Sequence, residues 1–256
     1  MSQKSLALAA VGSLLLLSAC GGGSEAPQGE TAAPAGVATP AAAAAATGTA
    51  SIKGKVVFEG AAPAAEKVKL NADPKCAALH PQGLDRAPVH VTDGGLADAV
   101  VYVKNASGSY PAPTEPVLLD QNGCDYNPHM LAIQVGQPLK IRNSDDTLHN
   151  VHPRPQQNAE FNLGQPRKDM ESTRTFDKAE TMIQVGCDVH PWMRAYINVF
   201  THPFHAVTAK DGSFEIKGLP AGEWEVEVLH AKAKPASGKV TVKDGEAATL
   251  ELKTGL

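Results

Sequence analysis

Residues 186–193 read GCDVHPWM, and this stretch decides how the chain is expected to fold. It places a thiol at Cys187, an imidazole at His190 and a thioether at Met193, with two residues between each and the next. A second imidazole, His149, lies upstream in the run DTLHNV at 146–151. Three metal-binding groups on one short loop suit a turn between strands. The fourth, from a separate strand, would lock that loop to a β-sandwich.

These four side chains form a known metal-ligand set. One cysteine thiolate, two histidines and a weakly bound methionine hold copper in blue electron-transfer sites. We therefore predict that Cys187 supplies the thiolate, His149 and His190 the imidazoles, and Met193 the axial sulfur of one type 1 copper site. Zinc also accepts cysteine and histidine ligands, but the methionine favours copper, which is the softer metal.

The rest of the chain carries the pattern of strands. After residue 50, short apolar segments alternate with turn residues, and no long stretch has a helical period. Acidic and apolar residues alternate strictly over 223–228, as in a strand with one face in the core. Asp-Gly pairs at 211–212 and 244–245 supply hairpin turns. The predicted fold class is all-β, with further strands at 56–58, 97–103, 130–135, 139–141, 239–243 and 249–253.

A second set of motifs surrounds the candidate ligands. YNP at 126–128 precedes an apolar strand, Gly136 precedes the next strand, and NSD at 143–145 and HNV at 149–151 follow. In this order the motifs resemble the cupredoxin family, and the spacing Cys-x-x-His-x-x-Met resembles the short ligand loop of amicyanins. The resemblance implies a cupredoxin Greek-key β-sandwich over 113–200, one type 1 copper, and transfer of single electrons.

Three neighbours of the ligands are expected to assist. Asn150 would tie the ligand strand to the Cys187 loop by hydrogen bonds and so orient the imidazole of His149. Pro191 and Trp192 flank His190 and would surround its exposed edge with apolar surface, which suits brief docking of a redox partner protein. Ordinary core packing is the alternative role for Trp192.

The C-terminal residues form a second unit. The runs 208–214 and 218–222 resemble the carboxypeptidase regulatory-like β-sandwich, which is similar to transthyretin. Residues 201–256 are assigned to this small sandwich. The run 52–58 resembles its first strand, so the β segment 51–112 is expected to pack with it, and the copper unit would be inserted between them. No peptidase activity follows, because the chain has no HExxH zinc motif and no serine triad.

The N-terminal residues resemble those of a bacterial lipoprotein. Lys4 and the apolar run 6–17 are typical of a secretory signal peptide, and the run is too short to span a bilayer. LSAC at 17–20 resembles a lipobox, which implies cleavage before Cys20 and a lipid on its sulfur; an uncleaved anchor is the alternative. Gly21, which follows this cysteine, resembles the residue found there in lipoproteins that are sorted to the periplasmic face of the outer membrane. Residues 21–50, rich in Ala, Gly and Pro, predict a disordered linker.

The cysteine count bears on the metal site. Once Cys20 carries lipid, three of the four cysteines remain, and an odd number in an oxidising compartment leaves one outside any disulfide. If copper holds Cys187, then Cys76 and Cys124 are left to form a disulfide. The alternative pairs Cys187 with one of the others and leaves no copper site.

Several classes of function are disfavoured. The net charge is −4 without a basic stretch, which argues against nucleic acid as a partner. Dinuclear and catalytic copper sites need a second loop cysteine or His-x-His runs, so we expect no enzyme. His152 should leave the opposite face of the strand from His149. The remaining histidines have no fixed spacing and are interpreted as surface, capping or hydrogen-bonding residues: His80, His90, His129, His202, His205 and His230.

The predicted function is therefore a lipid-anchored, periplasmic electron carrier with one copper. A copper storage or delivery protein would use the same ligands and is the first alternative. A non-metal adhesion or scaffold lipoprotein, in which a β-sandwich is the working part, is the second alternative.

Overall fold

Strands dominate the chain. The computed structural model describes residues 47–70 and 73–256, which form twenty β-strands and one short α-helix. The predicted all-β fold class is confirmed. Within these residues no helix is long and apolar enough to cross a membrane. The predicted signal peptide, Cys20 and residues 21–46 of the predicted linker lie outside the described residues.

The elements follow one another in three groups. The first comprises β1 (Ala50–Phe58), β2 (Glu66–Val68), α1 (Pro74–Leu79), β3 (Leu84–Arg86), β4 (Val91–Thr92), β5 (Gly95–Leu96) and β6 (Val100–Val103). The second comprises β7 (Val117–Gln121), β8 (Tyr126–Asn127), β9 (Met130–Gln134), β10 (Leu139–Asn143), β11 (His149–Arg154), β12 (Leu163–Gln165), β13 (Glu171–Arg174), β14 (Glu180–Gly186) and β15 (Arg194–Phe200). The third comprises β16 (His205–Val207), β17 (Ser213–Leu219), β18 (Gly222–Leu229), β19 (Ala236–Val242) and β20 (Ala247–Thr254).

Strands from the first and third groups form one sandwich, here called the terminal sandwich. In one sheet β1 pairs with β17 antiparallel and with β20 parallel, and β5 and β4 extend it. The facing sheet has the order β16-β6-β18-β19. Alternate residues of β1, including Ile52 and Val56, enter the core, where they meet Val101 and Val226 of the facing sheet. This alternation is what a strand with one buried face requires.

Strands β7 to β15 form the second sandwich, here called the central sandwich. One sheet has the order β13-β10-β7-β8 and the other β12-β11-β14-β15-β9, with parallel pairs at β7–β10 and β9–β15. Its core contains Leu119 and Ile141 from the first sheet and Ile133 and Ile197 from the second. Residues Met130, Phe200 and Val100 form a smaller apolar cluster where β9 and β15 meet β6 of the terminal sandwich.

A short segment between β1 and β4 belongs to neither sandwich. Strands β2 and β3 pair with each other, and α1 lies between them in the chain. We call residues 66–70 and 73–86 the cap. Asp73 begins the helix as its N-cap, and Pro74 occupies the first turn, where a missing N–H costs nothing. The cap buries Leu70 and Cys76 against Cys124 of the central sandwich.

One boundary differs from the sequence prediction. The predicted linker runs to residue 50, whereas Ala50 is the fully buried first residue of β1. Gly48, two residues before it, donates a backbone hydrogen bond to the carbonyl of Gly218 at 2.8 Å. The start of this strand could not be recognised from composition, because alanine is common both in disordered linkers and in protein cores. The domain boundaries drawn from the sequence otherwise stay a prediction.

Candidate metal centre

Strand register brings the candidate ligands to one end of the central sandwich. The loop 187–193 joins the antiparallel neighbours β14 and β15, and Met193 N–H donates to the His190 carbonyl at 2.9 Å to close its turn. His149 is the first residue of β11, whose His152 pairs with Gly186 at the end of β14. The loop and the start of β11 therefore meet.

Three predicted ligands converge. His149 Nδ1 lies 2.8 Å from His190 Nδ1, which lies 3.8 Å from Cys187 Sγ. One ligand atom from each of these residues lies within 4.8 Å of the other two. All three side chains are buried, and the fully buried Met193 belongs to the same core cluster as Cys187.

The surroundings of Cys187 favour its thiolate. Cys187 is free, so it does not take part in a disulfide. Burial alone would raise the pKa of this thiol, but hydrogen bonding with His149 and His190 outweighs burial and lowers its pKa to about 6. Asn150 N–H also points at Sγ, at 3.5 Å. A thiolate is the form of cysteine that binds metals.

Asn150 connects the ligand strand with the ligand loop. Its Oδ1 accepts a hydrogen bond from the Asp188 N–H at 2.7 Å and lies 3.2 Å from Cys187 Sγ. Its Nδ2 donates to Asp188 Oδ2 at 3.1 Å and to Asn162 Oδ1 at 2.7 Å. One amide side chain therefore holds two backbone segments together beside the sulfur.

A carboxylate stands behind His149. The Nε2 of His149 lies 3.0 Å from Asp145 Oδ2, on the side of the ring away from the other ligands. Burial opposes protonation of this imidazole, but Asp145 and Cys187 outweigh it and raise the pKa of His149 to about 9. Asp145 is itself fixed by the N–H groups of Gly123 and Cys124, at 2.8 and 2.7 Å. A carboxylate in this position orients an imidazole whose other nitrogen binds a metal.

A second carboxylate stands behind His190. The Nε2 of His190 lies 3.1 Å from Oδ2 of Asp73, the N-cap residue of α1. The same oxygen accepts a hydrogen bond from Thr147 Oγ1 at 2.8 Å, and Oδ1 accepts from the Lys75 and Cys76 N–H groups. Burial works in the opposite direction, but these hydrogen bonds lower the pKa of Asp73 to about 2. Asp73 therefore stays ionised beside His190.

The exposed edge predicted for His190 is wrong. Its side chain is fully buried, because the cap covers it: Cys76 Sγ lies 3.8 Å from Nε2, on the same side as Asp73. Trp192 is half-buried against the cap, its ring 4.9 Å from the His190 ring, and its Nε1–H donates to the Cys124 carbonyl at 2.9 Å. Of the two residues proposed for docking, Pro191 alone is classed as exposed.

The cap is bonded to the central sandwich by a disulfide. Cys76 and Cys124 are joined, with an S–S distance of 1.98 Å. The pairing of Cys187 with either of them, the alternative left open by the sequence, does not occur. Lys75 of α1 adds an ion pair with Asp146 at 2.9 Å.

The sequence analysis missed Asp73 and Asp145. Asp145 belongs to the NSD motif at 143–145, where its spacing of four residues from His149 was a usable signal. Asp73 precedes Pro74, which is typical of a helix start. Nothing in the linear pattern connects that start with His190.

Comparisons with known proteins gave partial matches to solved structures. No protein-family model matches the chain, and no curated protein matches it. A copper-containing nitrite reductase from Thermus scotoductus SA-01 is 23% identical with a TM-score of 0.32; the alignment covers 37% of this chain and 24% of that one. A methionine-to-alanine mutant of amicyanin in its Cu(I) form is 27% identical with a TM-score of 0.30, over 33% of this chain and 81% of that one. An oxidized proline-to-glycine mutant of amicyanin is 21% identical with a TM-score of 0.31, over 39% and 97%.

Proposed function

We propose that this protein is an electron carrier of the cell envelope with one type 1 copper site. His149, Cys187 and His190 would hold the metal, and the thioether of Met193 would be a fourth, weaker ligand. The observation that carries the proposal is the convergence of two imidazole Nδ1 atoms and a free cysteine sulfur in a buried pocket. The proposal includes no catalytic step.

The donor set fits copper chemically. When bound, copper supplies a one-electron couple between its two oxidation states. Asp145 and Asp73 accept from the Nε2 atoms and so direct the Nδ1 lone pairs of His149 and His190 into the site. Burial excludes water, and the hydrogen bonds between Asn150 and Asp188 limit movement of the loop. A site held in this way rearranges little when its charge changes, which suits rapid electron transfer.

An optical spectrum tests the proposal. The full chain is expected to bind Cu(II) at this centre and then to show an intense blue thiolate-to-copper band. Cys187→Ser should abolish the band, and His149→Ala should lose or greatly weaken it. His152→Ala is the matched control, because His152 lies on the same strand and its ring instead contacts Glu160 and Asp188. A blue band that survives Cys187→Ser would contradict the assignment.

Copper storage or delivery is the second candidate function. It is favoured by one observation: His190 is buried under the cap, so the edge of its imidazole does not face solvent for close approach of a partner. The electron self-exchange rate of the copper-loaded protein separates the two functions. Rapid exchange favours the carrier, whereas slow exchange together with very tight Cu(I) binding favours storage. A protein that is purified without metal and with Cys187 oxidised would favour the adhesion or scaffold alternative.

The cellular location is also a proposal. The LSAC motif at 17–20 supports lipid attachment at Cys20, and Gly21 supports a place on the periplasmic face of the outer membrane. The Cys76–Cys124 disulfide supports an oxidising compartment. The partner would be a redox protein that docks near Pro191 and Trp192. Incorporation of labelled fatty acid into the wild type, and release of Cys20→Ser into the soluble fraction, test the anchor; equal fractionation of both proteins would contradict it.

A further inference from the structure

Three side chains outside the copper centre also bring metal-binding atoms together. His90, Asp98 and His129 each place one such atom within 4.8 Å of the other two. His90 Nδ1 lies 2.9 Å from Asp98 Oδ2, and the same oxygen lies 3.9 Å from His129 Nδ1. They share no residue with the copper ligands.

The fold assembles this cluster from two separate turns. His90 directly precedes β4 and Asp98 follows β5, so the short β4–β5 hairpin brings them close. His129 lies between β8 and β9 of the central sandwich. Asp98 has φ 54°, in the left-handed region, which Asp and Asn adopt more readily than most other residues except glycine.

The cluster faces a cleft that can admit a ligand. The cleft has a volume of about 600 Å³, and the three side chains line it together with Trp192 and Tyr196. The side chains of Asp98 and His129 are each about one third exposed, at 30%, and that of His90 is 45% exposed. A cation can therefore reach them directly from solvent.

The far side of His129 is held as in known metal sites. Its Nε2 lies 3.0 Å from Asp125 Oδ2 and 3.0 Å from Arg86 Nη1. A carboxylate behind a ligating imidazole fixes the ring and increases its basicity.

We propose that His90, Asp98 and His129 form a second metal site that binds a divalent transition-metal ion such as Zn²⁺. Two imidazoles and one carboxylate are a common set for such ions, and they leave coordination positions open toward the cleft. Arg86 connects this site with the copper loop, because its Nη2 donates to Asp125 Oδ1 at 2.9 Å and to the Trp192 carbonyl at 3.2 Å. The site stands independently of the copper proposal.

Zinc stoichiometry tests the second site. The full-length protein is dialysed against micromolar Zn²⁺, and the bound metal is counted in the wild type and in Asp98→Asn. Asparagine tolerates the left-handed backbone, so the variant removes the charge while the turn is kept. Asp98→Asn is expected to bind one zinc fewer per chain. Asp169→Asn is the matched control, because Asp169 is exposed, has φ 62° and forms an ion pair with Arg142.

A second variant protects against a folding artefact. His90→Gln changes a side chain that is 45% exposed and should also lose one zinc per chain, with an unchanged circular dichroism spectrum. The count is a difference between variants, so zinc that enters the centre at Cys187 does not affect it. Equal zinc binding by the wild type, Asp98→Asn and His90→Gln would overturn the proposal, whether or not the protein shows a blue copper band.

Discussion

The two sandwiches differ in what they bury. The terminal sandwich buries mainly apolar side chains, among them Ile52 and Val226, and few polar ones, among them Thr208 and Thr254. The central sandwich buries polar side chains as well, among them Gln121, Asn143 and Gln165. These polar groups bond to one another and to the backbone: Gln121 Nε2 donates to Gln165 Oε1 at 2.6 Å, and Asn143 Nδ2 donates to the carbonyls of Thr147 and Gln165 at 2.8 Å each.

The difference indicates that the terminal sandwich supports the fold, whereas the central sandwich positions the proposed copper ligands. Buried polar groups cost free energy unless they are hydrogen-bonded, so a core that contains many of them holds its loops in one arrangement. In this protein, the loop that these hydrogen bonds hold is the one that leads from Asn143 to His149. The terminal sandwich has a mainly apolar core and no side chain among the proposed copper ligands. Substitutions in the two units should therefore have different effects.

The largest expected effect comes from the disulfide between cap and central sandwich. Cys76→Ala/Cys124→Ala should lower the free energy of unfolding by about 4 kcal/mol, because the bridge restricts the unfolded chain over a separation of 48 residues. Urea denaturation followed by fluorescence measures this. Reductant in the denaturant should destabilise the wild type and leave the double variant unchanged. Equal stability of the two proteins would contradict the prediction.

A core truncation in the terminal sandwich comes next. Ile52→Ala removes a fully buried side chain and should lower the free energy of unfolding by about 3 kcal/mol through lost burial and a cavity. The blue band of the folded, copper-loaded variant should keep its position and intensity. A shifted band at unchanged copper content would mean that the terminal sandwich also positions the ligands, and the contrast between the units would fail.

Removal of the carboxylate charge of Asp145, behind His149, should lower the copper affinity more than the stability of the fold. Asp145→Asn is expected to weaken copper binding by about 10- to 100-fold, because the imidazole loses the carboxylate that orients it. Competition with a chelator of known affinity measures the loss. Asp146→Asn is the control; this neighbouring carboxylate is 82% exposed and pairs with Lys75. Equal losses in both variants would show that the carboxylate of Asp145 has no special role.

His205 should give the fold a pH dependence. Burial, together with His202, lowers the pKa of His205 to about 4, whereas the unfolded chain protonates near 6.5. Between these values the unfolded state binds more protons, so the free energy of unfolding falls as the pH falls, by up to about 2 kcal/mol from pH 7 to pH 5. His205→Gln should flatten this profile in urea titrations at several pH values. Parallel profiles for variant and wild type would contradict the assignment to His205.

The smallest expected effect is at the surface of the terminal sandwich. Lys53 forms an ion pair with Glu215 at 3.5 Å, and its side chain is 59% exposed. Lys53→Ala should change the free energy of unfolding by less than about 1 kcal/mol, because exposed pairs are screened by water and salt. A loss as large as that of Ile52→Ala would show that surface pairing carries the stability attributed here to the core.

Local sequence pattern predicted many of the strands, and local spacing predicted three of the four proposed copper ligands. Residues 130–135 and 139–141 were predicted as strands and form β9 and β10, because apolar periodicity follows directly from which face is buried. Cys187, His190 and Met193 lie within one turn, so their proximity was implied by spacing. His149 was assigned because its imidazole completes a known copper ligand set, since its strand pairing is not local.

Contacts between distant segments could not be predicted from the sequence. Asp73 and His190 are 117 residues apart, and only the folded cap places the carboxylate on the imidazole. The cysteine count was the one signal that connected residue 76 with residue 124. His90, Asp98 and His129 had no common spacing, because two separate turns supply them. Side chains that meet through tertiary structure leave no periodicity in the chain.

The parallel pairing of β1 with β20 has a mechanical consequence. A pull on the chain from its N-terminal side enters the terminal sandwich at Ala50 and acts along the strand. Hydrogen bonds to β17 over residues 50–55 and to β20 over residues 51–58 lie across that direction, so they are loaded together in shear. If Cys20 is anchored in a membrane, drag on the protein would be borne by this sheet. The ligand loop between β14 and β15 would then remain free of tension.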